Sequence, residues 1–452
     1  MKNIKKNIRE NKIKITEIGT TKDILCSRGG LFFFHKYLQS IKVDDLILKY
    51  FGALQKNKKG KDVFDLFSQL ICFFVDGTNN SISYLDELKE DVGYALSIER
   101  KKEGLISSHS AKRFFKKFSH ISNFTFRKLF QDLFIWRLKQ EAPEYIELDV
   151  DVFILDNDDA DKREGCQPTY KKKKGFSDYA VKWKAMVIDN LLRGGAKHSN
   201  SGATVKNSLK HIISRIRKEY REDVEILINM DAGFFDDKIF NFLEDVNVKY
   251  VCSGRVYDSI QKRGIEEFEK EEKYFKSSNQ KINKWQYADL QDKRGTWEKY
   301  RRAIYTCQVV KDSQRLLPSF GVDRIYYTNI EDLPAEDIIR IAHKRGIHEL
   351  VHRKIKDFVS EKLPFKKFQM NSAYYNIAIL SFNLYECFKK DVTEEIVSPA
   401  CYATTFRRTF LDFAGKIVSS ARKIILKVSK STMKRLKLEK IWLLCLEPPK
   451  IC

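Results

Sequence analysis

The spacing of apolar residues divides this chain into stretches of different period. Up to about residue 140 the apolar positions recur at helical intervals. LFFFHKYLQSI, DVFDLFSQLICFFVDG and FTFRKLFQDLFIWRLKQ each predict a helix with a broad buried face. At 145–155 the period changes. YIELDVDVFIL is β-branched and alternating, which predicts a strand. Leu148, Val150 and Val152 fall on one face of it, and Glu147, Asp149 and Asp151 on the other. A second strand is expected within YAVKWKAMVIDNLL, a helix at ATVKNSLKHIISRIRKEY and a strand at EILINM, just before Asp231. DDKIFNFLEDV then predicts a helix and VKYVCSGRV a strand. Alternating strands and helices imply an α/β core with a mixed sheet. Beyond it, GTWEKYRRAIYTCQVV and DRIYYTNI predict strands in a charged setting. AEDIIRIAHKRGIHELVHRKIKDFVSEK and NSAYYNIAILSFNLYECFKKD predict two long helices. The last fifty residues are expected to be basic and mostly helical, most clearly at RRTFLDFAGKIVSSARKIILKVS.

These shifts divide the 452 residues into a helical region at 1–140 and the first part of an α/β core at 141–256. An inserted β-rich segment follows at 257–335, the rest of the core at 336–400, and a basic helical region at 401–452. A hydrophobic fraction of 43%, with 32 Phe against 20 Gly and 8 Pro, excludes a disordered chain. Charge narrows the partner. Lys and Arg number 84 against 61 acidic residues, a net charge of +23. Such an excess favours a polyanion, nucleic acid first, because each neutralised phosphate releases counterions. The nine cysteines form no CxxC pair and sit beside no closely spaced histidines, which argues against structural zinc. The basic N-terminus lacks the apolar segment of a signal peptide. No apolar run approaches the roughly 18 residues of a membrane span. The expectation is a cytoplasmic protein with no membrane partner.

Three acidic positions invite a chemical reading. Asp149 and Asp151 share a face of a strand whose other face is apolar, and hard cations such as Mg²⁺ take carboxylate oxygens plus waters. A solvated edge strand is the plainer alternative. Asp231 stands at the carboxyl end of a strand, where ligand sites of α/β sheets gather. Capping the next helix is its plainer role, and Asp236 suits that better. Glu349 lies on a long helix, with Arg345, His352, Arg353 and Lys356 on its stripe by three- and four-residue spacing. A surface ion pair is the ordinary role for such a Glu. In-line displacement at phosphorus uses two metal ions about 4 Å apart, which two Asp and one Glu from distant segments can hold. Two basic features remain. Lys171, Lys172, Lys173 and Lys174 form a run beside the acidic strand. Lys112, Arg113, Lys116 and Lys117 follow a Ser cap at Ser107 or Ser108, on a helix suited to phosphates or to a solvated face.

At these residues the chain resembles the DDE transposases of bacterial insertion sequences, in the branch whose RNase H-like core carries a β-strand insertion. The likeness spans roughly residues 60–400. ELDVDVFILDNDDADKREGCQPTYKKKKGF resembles the first catalytic block, with Gly165 to Gln167 as its Gly-Gln element, and HSN at 198–200 is also similar. NMDAGFFDDKIFNFLED resembles the second block, with Asp231 as its aspartate. KRGIHELVHRKIKDF resembles the third, with Arg345 four residues before Glu349. Two departures stand out. Phe153 occupies a position usually held by Thr or Ser, which keeps Asp149 open as an alternative to Asp151, and the tyrosine usual before the Arg is missing. The resemblance implies that Asp151, Asp231 and Glu349 are catalytic and hold two Mg²⁺ or Mn²⁺ ions. It implies double-stranded DNA, as element ends and target, as substrate, and a homodimer when two ends are paired. Arg345, Arg353, Lys356 and the Lys171–Lys174 run would hold phosphates, and the N-terminal helices would recognise the terminal repeat. About 118 residues separate Asp231 from Glu349, and the resemblance accounts for them as the inserted β-domain. Trp285 or Trp297 within it would stack on a flipped base or, as the more ordinary role, pack a core. A nuclease that does not rejoin, or a decayed DNA-binding protein, are the rival readings.

Overall fold

The computed structural model describes residues 15–55, 61–160, 162–201, 204–271, 273–276, 284–310, 314–315 and 323–451, and in the helix around 345–349 the backbone alone. A short strand β1 (Ile24–Cys26) precedes helices α1 (Gly29–Ser40), α2 (Val43–Phe51), α3 (Val63–Asp76), α4 (Tyr84–Glu90), α5 (Val92–Ser97), α6 (Ser108–Phe115) and α7 (His120–Glu141). Phenylalanine does much of their packing: Phe51, Phe67, Phe118 and Phe126 stack and tilt against one another with ring centroids 4.4 to 6.4 Å apart. Ser107 caps α6 by accepting from the Ser110 N–H, as its position in the sequence implies. The helix ends at Phe115, so Lys116 and Lys117 lie past it instead of on its face.

The core follows as β2 (Tyr145–Asp156), β3 (Gln167–Pro168), β4 (Lys174–Trp183), β5 (Met186–Gly194), α8 (Thr204–Glu219), β6 (Glu225–Met230), α9 (Asp237–Asp245) and β7 (Lys249–Ser253). The apolar stretch at 179–192 is thus a hairpin of two strands, folded at Lys184, whose φ of 52° makes the turn. β2 pairs antiparallel with β4 and parallel with β6, and β6 runs parallel to β7. Three antiparallel strands followed by two parallel ones, in the order β5-β4-β2-β6-β7, make the mixed sheet of an RNase H-like core. The later segment adds α10 (Asp258–Lys270), β8 (Tyr274–Lys276), β9 (Lys284–Asp292), β10 (Arg301–Val310), β11 (Gln314–Arg315) and β12 (Arg324–Thr328). Its strands extend the same sheet, because β12 pairs antiparallel with β7.

α11 (Ala335–Phe358) and α12 (Phe368–Phe388) close the core. α12 is buried on all sides from Asn371 to Phe388, so it serves as a spine between the N-terminal helices and the sheet. The chain ends in α13 (Ala403–Phe406), β13 (Gly415–Ser420), β14 (Lys423–Lys427), α14 (Lys430–Arg435) and α15 (Leu438–Leu446). Here the helical expectation fails at 415–427, which form a β-hairpin. Ser420 pairs with Lys423 across a two-residue turn whose Ala421 and Arg422 both take positive φ, the backbone twist that suits a tight hairpin. β13 also pairs with β1, a partner nearly four hundred residues away that local spacing does not reveal.

The far end of α3 is held from a distance. Gly77 closes it in the left-handed region (φ 58°), and the Arg407 guanidinium donates to the carbonyls of Phe74 and Val75 at 2.8 and 2.9 Å. A Cβ on Gly77 would sit 2.1 Å from that guanidinium carbon. Gly77→Ala is therefore expected to destabilise the protein by roughly 1–3 kcal/mol, read from the shift of a urea denaturation midpoint. An unchanged midpoint would show that the cap and its arginine are dispensable.

Candidate active site

Asp149 and Asp151 share a face of β2, but their surroundings differ. Asp149 is fully buried, and its cross-strand neighbour on β4 is Lys182, whose Nζ lies 2.6 Å from an Asp149 carboxylate oxygen. Asp151 is partly exposed, at 16% of its side chain. One of its oxygens accepts the Val152 N–H at 2.8 Å, and the other lies 2.7 Å from His352 Nε2 on α11 and 3.7 Å from Lys182 Nζ. Lys182 and His352 are themselves 2.8 Å apart. Burial holds the His352 imidazole below its usual pKa, against the opposing pull of Asp151.

The parallel register of β2 and β6 aligns Val150 with Met230. Asp151 and Asp231 each follow immediately after this last aligned pair, on neighbouring parallel strands. Asp231 stands where β6 ends, its carboxylate accepting the Gly233 N–H at 2.8 Å in the turn that follows. Asp236 caps α9, as its position suggests. Tyr170, in the turn between β3 and β4, feels both carboxylates: its phenol is pushed above its usual pKa by desolvation first and then by the charges of Asp151 and Asp231. The lysine run follows Tyr170 at the far end of β2, where Gly175 pairs with Asp156. Lys172 takes φ 59° at the turn, Lys173 pairs with Asp156 at 2.5 Å, and all four lysines are exposed.

Glu349 and Arg345 lie on α11, one and two turns before His352, and their side chains fall outside the described residues. Arg353 is exposed, Lys356 pairs with Glu361 at 2.6 Å, and Leu350 is 40% exposed. Lys112, Arg113 and Lys116 are exposed at α6, which packs on α4 and α12. Trp285 packs against His343, and Trp297 against Phe235 and Tyr327 next to the Asp231 turn; each is 6% exposed, so both serve packing. Gly165 takes φ 85° where a Cβ would strike Phe368, and Gln167 begins β3, so the Gly-Gln element shapes the turn. Asn200 of the HSN loop donates to Asp236 at 2.6 Å, bracing the same corner.

Lys182 and His352 are the site residues that sequence spacing did not single out. Lys182 reads as one of several lysines in a strand, and His352 as one member of a basic stripe. Among the described residues, no group of three His, Cys, Asp or Glu is placed to hold a metal. Two carboxylates that each follow the last aligned pair of neighbouring parallel strands nevertheless form a hard-oxygen donor set of the kind Mg²⁺ or Mn²⁺ accepts.

A mixed sheet carrying Asp151 within β2, with Asp231 just past the carboxyl end of the neighbouring parallel strand β6, defines an α/β protein of the RNase H-like class. The chain belongs to the DDE transposases: the family described as transposase DDE domain group 1 matches residues 5–444. Among solved structures it is similar to the piggyBac transposase synaptic complex with hairpin DNA, at 13% identity and a TM-score of 0.42, over 85% of this chain and 80% of that one. No curated protein matches it. Among the described residues, no helix is long and apolar enough to cross a membrane.

Proposed function

We propose that this protein is an insertion-sequence transposase that cuts double-stranded DNA at element ends and joins the freed 3′-hydroxyl to target DNA. The observation that supports this reading is the parallel pairing of β2 and β6, whose last aligned residues, Val150 and Met230, immediately precede Asp151 and Asp231 in a chain of the DDE family. Asp151, Asp231 and Glu349 hold the metal ions. Asp149 is fully buried against Lys182, which supports Asp151 over it as the first ligand. Mg²⁺ or Mn²⁺, as a pair of ions, supplies Lewis-acid stabilisation of the attacking and leaving oxygens when bound.

The protein's own groups do the rest. The exposed Lys171–Lys174 run, next to Tyr170 and the end of β2, holds the phosphates that flank the scissile bond. Arg345, Arg353 and Lys356 on α11 hold the strand further along. Lys112, Arg113 and Lys116 at α6 contact the terminal repeat. Two copies of the chain pair the two ends.

The test is a linear DNA carrying the terminal repeats that flank the gene, incubated with Mg²⁺, together with a pre-cut end offered to a target plasmid. Nicked ends and joined products are expected, and cutting without joining would favour a nuclease. Asp231→Asn is expected to lose cleavage while end binding survives. Full cleavage by that variant would sink the assignment.

A further inference from the structure

A carboxylate that ligates metal needs something to fix its rotamer, and the polar groups packed behind Asp151 form such a device. Three charged or polar side chains meet there: Asp149 and Lys182 from the cross-strand pair of β2 and β4, and His352 from α11. Asp149 is 0% exposed, Lys182 1% and His352 9%, so water does not mediate their contacts with one another. The imidazole is further clamped by the Phe153 ring at 4.4 Å.

The ring nitrogen Nε2 sits between a donor and an acceptor. His352 Nε2 lies within hydrogen-bond distance of both an Asp151 oxygen (2.7 Å) and Lys182 Nζ (2.8 Å). Among the described residues, His352 Nδ1 is buried with no hydrogen-bond partner. With the proton on Nε2, the ring donates to Asp151 while the Lys182 ammonium donates to Asp149; with the proton on Nδ1, Nε2 accepts from Lys182 instead, and in both tautomers the ring is seated between the ion pair and the Asp151 carboxylate. The Lys182–Asp149 pair thus supplies a fixed wall, and His352 holds one oxygen of Asp151 against it. The Val152 N–H fixes the other oxygen.

We propose that His352, braced by the Lys182–Asp149 ion pair, is a positioning residue that aims the Asp151 carboxylate for metal binding. The proposal rests on the reading of Asp151 and Asp231 as metal ligands. Partners of this kind commonly change metal affinity by about 10–100-fold when removed. His352 touches neither metal nor DNA in this account and acts only through Asp151.

The experiment titrates Mn²⁺ into the full-length protein without DNA, using electron paramagnetic resonance of the free ion. Wild type, His352→Leu, His352→Gln and Asp231→Asn are compared, with thermal unfolding of each in the absence of metal. His352→Leu is expected to weaken Mn²⁺ binding by roughly tenfold or more. His352→Gln keeps an N–H that can reach Asp151, and is expected to restore most of the affinity even where both variants unfold at a similar temperature. A purely structural role would lower the unfolding temperature and leave the affinity alone. Wild-type affinity in His352→Leu, with binding lost in Asp231→Asn, overturns this inference and spares the metal site. Equal affinity in wild type and Asp231→Asn overturns the metal site itself, and this inference with it.

Discussion

Asp151→Asn is expected to abolish DNA cleavage, by a factor on the order of 10³ to 10⁶, while Asp149→Asn leaves the folded protein able to cut. The two residues are two positions apart on one face of β2, yet they do different work. Asn at 151 keeps the shape of the side chain but removes the charge that draws a divalent cation, at the position that follows the last aligned pair of β2 and β6. An interaction required in the transition state is lost, and neighbouring groups do not replace it. At 149 the carboxylate faces Lys182 and no solvent. Removing its charge strands a buried ammonium, with a cost of about 3–5 kcal/mol in stability. Part of this is relieved by the Asp151 oxygen 3.7 Å away. The measurement is cleavage of an end-labelled duplex at saturating Mg²⁺, normalised to the folded fraction from near-ultraviolet circular dichroism. An inactive, well-folded Asp149→Asn beside an active Asp151→Asn would reverse the assignment.

The contrast between these two aspartates also marks how far the sequence could be read. The acidic face of β2 was legible because the alternation of YIELDVDVFIL separates its faces, and the position of Asp231 because a strand ends just before it. What divides Asp149 from Asp151 was not legible. It depends on Lys182, more than thirty residues away on an antiparallel neighbour, and on His352, two hundred residues away on α11. Both are brought in by tertiary packing that no local period encodes. The same limit explains the C-terminal hairpin. Its turn is Ala421-Arg422, without the Asn-Gly signature that marks a tight hairpin, and IVSSARKIIL spaces its apolar residues in a way that a helix also satisfies. In the segment at 257–335, β10 and β12 were legible from their β-branched and aromatic runs, while α10 and β9 were not singled out. The segment's continuity with the core sheet through β12 and β7 was not legible, because pairing partners carry no local signal.

That continuity has a mechanical consequence. Trp297 packs on Phe235, three residues beyond Ala232 in the Asp231 turn, and Arg301 ties β10 to Asp237 and Glu244 of α9 at 2.7 and 2.8 Å. These contacts brace the turn and helix that follow Asp231.

Lys182→Met is expected to destabilise the protein by about 3–5 kcal/mol, the second large effect. Met matches the length of the lysine stem, so packing against the sheet survives and charge is the main change. The substitution leaves Asp149 as an uncompensated buried anion beside Asp151, two like charges on one face of β2. Pairing the change with Asp149→Leu removes both charges, and such apolar replacements of a buried pair are often neutral or better in stability. The double variant is therefore expected to recover most of the lost stability, with a coupling energy of at least about 1 kcal/mol in the cycle, since the residues are in direct contact. Guanidinium unfolding followed by tryptophan fluorescence gives all four corners. Additive effects in that cycle, or wild-type stability in Lys182→Met, would mean that the ammonium does not hold Asp149, and the division of labour between the two aspartates would lose its physical basis.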